Sequence, residues 1–269
     1  MYSGTTLRRD SGRLVGAHQK IDRVARRHLE KLVKNRTIFP SIGAILHFEG
    51  KNGPDGIKLK SPMQDEFEHV IDPTDPNDDM LVIVINDHII NLSKALKINN
   101  YERASFESAW LAHAIVDGLT PPHHYRLDDE ARANWISNNA RITKLKEGYI
   151  ARDAKKRSGL IEKWGSWGSG GVVAHILFEL GVASVITPGS FKQCALTDED
   201  ISKLKTDGFE KMYTGIIHEV YEMNMYNIFC QKGWTRDLAR KAKSILVPEM
   251  IRSVQLAWYQ AVVLSEQKK

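Results

Sequence analysis

The residues best suited to chemistry fall in one stretch, Trp110-Leu-Ala-His113-Ala-Ile-Val-Asp117-Gly-Leu-Thr-Pro-Pro-His123-His124. His113 and Asp117 are four apart, so on a helix both leave the same face and can hold one metal ion. Pro121 and Pro122 must end that helix, because proline lacks the amide proton and crowds the preceding turn. The chain then brings His123 back beside the helix end. Imidazole plus carboxylate is the usual ligand set for zinc. The same spacing recurs in His175 and Glu179, on an otherwise apolar run, and again in His218 and Glu222. Glu179 is the sharpest of these secondary signals, since a carboxylate buried on an apolar helix needs a partner or a metal.

Three further candidates are weaker singly. His69 stands in Glu66-Phe-Glu-His69-Val-Ile-Asp72-Pro73, just before a turn, and His18 lies on the apolar side of the first helical segment. Asp55, in Gly53-Pro-Asp55-Gly56, sits in a turn sequence that exposes a carboxylate without helical restraint. A lone histidine on an apolar face is ordinarily a hydrogen-bonded core residue, and His28, His47 and His88 are read that way. The case for the others is their recurrence at helical spacing.

The elements that must position these residues read mostly as helix. Leu14 to Lys34 has helical apolar spacing through Leu14, Val15, His18, Ile21, Ala25 and Leu29. Thr37 to Glu68 reads as irregular, broken by Gly43, Gly50, Gly53, Pro54, Gly56 and Pro62. Asp78 to Lys97 reads as helix, although Leu81-Val-Ile-Val-Ile85 has the composition of a strand. Asn99 to Leu119 is a strong helix. Residues 126 to 163 are polar and helical in pattern, and look like an insertion. Trp164 to Gly171 is a Gly-rich loop leading into an apolar helix, Val172 to Ile186. Thr197 to Phe229 opens with a capping pattern and continues as helix, and Arg236 to Glu266 closes the chain, with a kink or break at Pro248. These patterns predict one all-α domain spanning 1–269, with ligands projecting between packed helices into a central cleft.

Composition sets outer bounds. The chain has 269 residues, 42% hydrophobic and 26% charged, which is ordinary for a globular domain. A net charge of +5 suits a phosphate-bearing partner, and makes an anionic surface a candidate for peripheral contact. The basic run Arg152 to Arg157 reads as solvated surface. Cys194 and Cys230 make neither a disulfide framework nor a thiolate zinc site, and are read as buried free thiols. With no apolar signal core and no segment long enough to span a membrane, the expected location is cytoplasmic, or secreted if a signal sequence was removed.

In their order along the chain, these residues resemble the zinc-dependent phospholipase C and fungal single-strand nuclease superfamily. The central motif is matched by His113, Asp117 and His123, and the helix before it by Tyr101 to Leu111. An earlier His-x-x-Asp-Pro element is matched by His69-Val-Ile-Asp72-Pro73, with Asp55 as the Pro-Asp ligand upstream. The first-helix histidine is matched by Gly16-Ala-His18-Gln-Lys-Ile21, and the closing helix by Ile251 to Tyr259. The resemblance covers most of the chain, and its central motif is the most specific part.

It implies an all-α fold and two or three zinc ions. One would be held by Asp55, His69 and His113, and Asp117 would bridge it to a second near His18. A third would take His123 with a later His-x3-Glu pair. His175 and Glu179 are preferred to His218 and Glu222, because they open the first apolar helix after the Gly-rich loop. Two departures stand out. The family's mature N-terminal residue, usually Trp, is a zinc ligand, whereas this chain begins Met1-Tyr2 and has no tryptophan before Trp110. The stretch of about 124–170 is atypical of the family.

The implied activity is hydrolysis of a phosphodiester, either a phospholipid head group or single-stranded nucleic acid. Paired metals supply an acidified water, charge stabilisation at phosphorus and help for the leaving oxygen. Asp55 and Asp117 are the candidate catalytic residues, Asp55 mainly as a ligand that also orients the nucleophile. Asp72 and Glu68 are candidate acceptors for ligand imidazoles, and Tyr125, Trp164 and Trp167 are candidate stacking residues. The absence of an adjacent His-Asp dipeptide counts strongly against the helical phosphohydrolases that use one. The competing reading is a non-catalytic metal-binding or interaction protein that keeps the fold with a degraded zinc cluster.

Overall fold

The computed structural model describes residues 16–33, 39–58, 70–125 and 172–267. Expectations about His69, Glu68, the 126–163 insertion, the Trp164–Gly171 loop with its two tryptophans, and the 152–157 basic run therefore lie outside the described residues. Within them the fold is all-α, and no strand occurs.

The central element is α5, Tyr101–Gly118. From Ala104 onward nearly every side chain is buried, and Ala104, Ser105, Ser108, Ala109, Ala112 and Ala114 are small enough for neighbours to approach closely. Its antiparallel partner is α4, Met80–Lys97. The hinge between them is set by Asn99, held at φ 55°, and by Asn100, whose side chain caps the amide of Arg103. Asn tolerates the left-handed region better than other side chains, and it is a preferred N-cap.

The strand-like run is helical. Leu81, Val82, Ile85, Ile89 and Leu92 form one buried face, while Ile83 and Ile90 stay exposed. The β-branched residues lower helix propensity by only tenths of a kcal/mol each, so a continuous buried stripe decides the outcome.

The first helix, α1 (Ala17–Val33), packs its Ile21, Val24, Ala25 and Leu29 face into the core. The stretch expected to be irregular contains two short helices, α2 (Ile42–His47), capped by Ser41, and α3 (Pro54–Lys58), separated by a 3-10 turn at Gly50–Asn52. The glycines and prolines there set boundaries between short helices. After the break, α6 (Val172–Ile186) is anchored by Phe178, which meets the rings of Tyr226, Phe229 and Trp234 edge-on at 5.5–5.7 Å.

The expected helix over Thr197–Phe229 is divided. α7 (Asp198–Glu222) opens with a Thr197–Asp200 capping box, bends at Gly208 (φ 79°), and gives way to α8 (Met225–Lys232) at Asn224, which has φ 52°. The break expected at Pro248 takes the form of a π turn. α9 (Arg236–Lys241) runs through Ala242–Leu246 into α10, Val247–Glu266. Widening the ladder just ahead of a residue with no N–H absorbs its missing hydrogen bond.

Two hydrogen bonds fasten neighbours to α5. Trp258 Nε1–H in α10 donates to the Ser108 carbonyl at 3.0 Å, and the Tyr213 hydroxyl in α7 donates to the Ile115 carbonyl at 2.9 Å. Gly118 is required beside that tyrosine, since a Cβ there would lie 2.3 Å from the Tyr213 hydroxyl. Cys194 is buried as expected, but Cys230 is exposed, because it falls on the outer side of the short helix α8. No helix among the described residues is long and apolar enough to cross a membrane.

Candidate metal centre

The end of α5 explains how His123 reaches the helix it follows. Thr120 turns the chain, its hydroxyl donating to the Val116 carbonyl at 2.7 Å and its amide to the Asp117 carbonyl at 2.8 Å. Pro121–His124 then forms a 3-10 turn, held from outside by the Ile71 amide donating to the His123 carbonyl at 3.1 Å. His124 Nε2–H donates to the Gly118 carbonyl at 2.8 Å, so it caps the helix. Burial pulls its pKa down to about 4, keeping it neutral in that role.

Two groups of converging ligand atoms result: His18, His113 and Asp117 in the first, His123, His175 and Glu179 in the second. In the first, α1 supplies His18 and α5 supplies the other two. Asp117 Oδ1 lies 3.3 Å from His18 Nε2, and its Oδ2 lies 3.3 Å from His113 Nε2. Each carboxylate oxygen thus faces a different imidazole. The two rings stack in parallel with centroids 4.0 Å apart. Asp55 adjoins this group, its Oδ1 3.7 Å from His113 Nε2, and its side chain is 27% exposed. It stands in the first turn of α3, a helical position rather than the free turn expected of Gly-Pro-Asp-Gly.

In the second group, His123 Nε2 lies 3.0 Å from His175 Nε2 and 3.3 Å from Glu179 Oε1, and the last two are 2.8 Å apart. The other nitrogen of the same ring, His123 Nδ1, is 3.8 Å from Asp117 Oδ2. His123 therefore stands between the two groups. It is the His175 and Glu179 pair that comes to His123, while His218 and Glu222 are exposed on α7.

Both donor sets could hold a metal ion: imidazole nitrogens and carboxylate oxygens converge in each group, one atom per residue, all within 4.8 Å of one another. Both ring nitrogens of the fully buried His18 lack a hydrogen bond among the described residues. An imidazole so placed is costly unless something takes its lone pair.

The electrostatics point the same way. Burial alone would raise the Asp117 pKa, but the surrounding positive charge, to which the His123 and His113 imidazoles contribute, holds it well below the usual carboxylate range. Burial opposes charge on His113 too, yet Asp117, Asp55 and Glu49 together raise its pKa well above 6.5. His18 goes down, through burial and the charge on His113. Burial is the largest influence on Asp55 and works against its charge, yet positive groups taken together, His113 and His18 among them, lower its pKa. In the outer group, His123 falls to about 4, mainly by burial. Glu179 is held well below its usual range despite burial, by surrounding positive charge and by the hydrogen-bonding imidazoles of His175 and His123. A cluster of shifted, mutually facing titratable groups is a common mark of a functional site.

Two acids near the first group were not anticipated. Glu49 Oε1 is 3.5 Å from His113 Nδ1, and Asp22 is fully buried nearby on α1. Asp22 repeats the i, i+4 spacing with His18, a signal present in the sequence; Glu49 carries none. Asp72, a candidate acceptor for an imidazole, receives the amide and hydroxyl of Thr74 in its own turn. Tyr125 packs against the rings of Tyr221 and Tyr226, and its hydroxyl accepts from Asn227 Nδ2 at 3.0 Å. No protein-family model matches the chain, and neither the curated proteins nor the solved structures give a significant match.

Proposed function

We propose that this chain is a zinc-dependent phosphodiester hydrolase of phospholipase C or single-strand nuclease type. The observation that carries the reading is Asp117. Its two oxygens face different imidazoles, and one of them also faces His123, so a single carboxylate ties together two His–carboxylate clusters. Such a constellation suits paired cations, with His18, Asp55, His113 and Asp117 holding one or two ions, and His123, His175 and Glu179 another. When bound, paired metals supply an activated water and charge stabilisation at the phosphoryl group.

The chain's own residues have distinct tasks. Asp117 aligns His18 and His113 and keeps its charge at neutral pH. Asp55, the more solvent-accessible acid of the deep cluster, is placed to accept a hydrogen bond from an incoming water. His175, 29% exposed, marks the side from which a substrate phosphate can enter.

The test is hydrolysis of phosphatidylcholine and of single-stranded DNA by zinc-loaded protein, beside Asp55→Asn and His175→Ala. Activity on either substrate, reduced at least a hundredfold by both substitutions, supports the reading. Zinc-loaded protein that cleaves neither favours a second reading, a non-catalytic protein with structural metal. One observation favours that alternative: His18, His113 and Asp117 are all buried, as the ligands of a closed structural site are.

A further inference from the structure

Two carboxylates behind the deep cluster have no task as ligands. Glu49 leaves α2 and opens the 3-10 turn at Gly50–Asn52, where its Oε2 accepts the Gly50 amide at 3.2 Å. Its Oε1 points the other way, 3.5 Å from His113 Nδ1, and makes no hydrogen bond among the described residues. Gly53 lets the turn fold back onto it, because a Cβ there would meet the Phe48 carbonyl oxygen at 2.7 Å and Glu49 Cα at 2.9 Å. Asp22 is 0% exposed, and neither of its oxygens has a hydrogen-bond partner among the described residues. The charged groups that act on it are Glu49, His113 and Arg23.

Two buried carboxyl groups within electrostatic reach of each other oppose folding, since burial and mutual repulsion both disfavour their charge. A packing role would be met better by apolar side chains of similar size. The orientation of His113 gives them a use. Its Nε2 faces Asp55 and Asp117, so Nε2 is the nitrogen on the ligand side and Nδ1 the far one. A carboxylate at the far nitrogen fixes the tautomer, holds the ring and strengthens it as a donor.

We propose that Glu49, backed by Asp22, is a positioning residue for the deep centre: it accepts the Nδ1–H of His113 and so presents Nε2 to a divalent cation. This rests on the metal reading above.

The experiment measures zinc affinity of the full chain by competition with a chromophoric chelator, in a His175→Ala background that isolates the deep centre. Glu49→Leu should weaken zinc by about 10–100-fold. Glu49→Gln, which keeps an acceptor oxygen and loses the charge, should recover part of that loss. In the otherwise wild-type chain, Glu49→Leu should leave the outer centre's affinity unchanged. Should Glu49→Leu not fold, nitrogen-15 shifts of His113 in the zinc-loaded wild type decide instead, with a proton on Nδ1 and metal on Nε2 expected. Wild-type affinity in Glu49→Leu, equal loss at both centres, or metal on Nδ1 would overturn the positioning role alone. A wild-type chain with no tight zinc would overturn the metal reading, and this inference with it.

Discussion

The deep and outer clusters use the same ligand types in different settings. The deep one joins α1, α5 and α3, segments far apart in sequence, and gathers three carboxylates around two imidazoles, Asp117, Asp55 and Glu49, with the buried carboxyl of Asp22, its pKa raised by burial and by Glu49, close enough to feel them. The outer one needs only a turn and a single helix, has one carboxylate of its own, and leaves His175 partly open. Surplus negative charge in a buried setting favours retention of a dication, whereas an open position favours exchange and access. On the proposed reading, this difference would divide the labour, with the deep centre the firmly held one and the outer centre the one that meets substrate.

The most severe way to break this division is Asp117→Asn. Because Asp117 faces His18, His113 and His123, we expect deep-centre zinc to fall below detection and outer affinity to drop at least tenfold, both read by chelator competition. An Asp117→Asn protein that keeps both classes of zinc would show that the clusters are independent.

His175→Ala should act on one side only. It should remove the outer metal and leave the deep one within about twofold. His218→Ala serves as the control, with no change in either, since His218 is exposed on α7.

The pH response should also differ, more gently. In the metal-free chain His113 is raised above 6.5 and is protonated at neutral pH, so zinc must displace a proton there. Deep-centre affinity should rise by about tenfold per pH unit as pH climbs towards the folded pKa of His113, and level off beyond it. His123, lowered to about 4, is already neutral above pH 5 and releases none. The stability signs are opposite. The raised His113 stabilises the metal-free fold below about 6.5, a contribution lost as pH rises through its folded value. Stability linked to neutral His123 is present above about 6.5 and is lost as pH falls towards about 4. Proton NMR titration of the two rings checks both, and identical titration curves would contradict the account.

Parts of this arrangement were legible in the sequence for a physical reason. Helical spacing places His113 with Asp117, and His175 with Glu179, on shared faces whatever the rest of the fold does. Apolar periodicity likewise made α1, α4, α5, α6 and α10 readable, and the strand-like composition of Leu81–Ile85 yielded to it. Tertiary facts were not legible. Asp22 has the same spacing from His18 as the recognised pairs, yet the groups that act on it from outside its own helix, Glu49 and His113, come from the turn after α2 and from α5. Glu49 lies between short helices in a stretch that breakers made look irregular. Asp117 joins the clusters only because the Thr120–Pro122 turn returns His123 to the helix end, a matter of three-dimensional reach rather than spacing.

The most direct measurement is metal content by elemental analysis of untagged protein purified without added metal, for the wild type and His113→Ala. The account predicts two or three zinc ions per chain in the wild type and the loss of at least one in the variant. No zinc, or a single ion indifferent to His113→Ala, would contradict it.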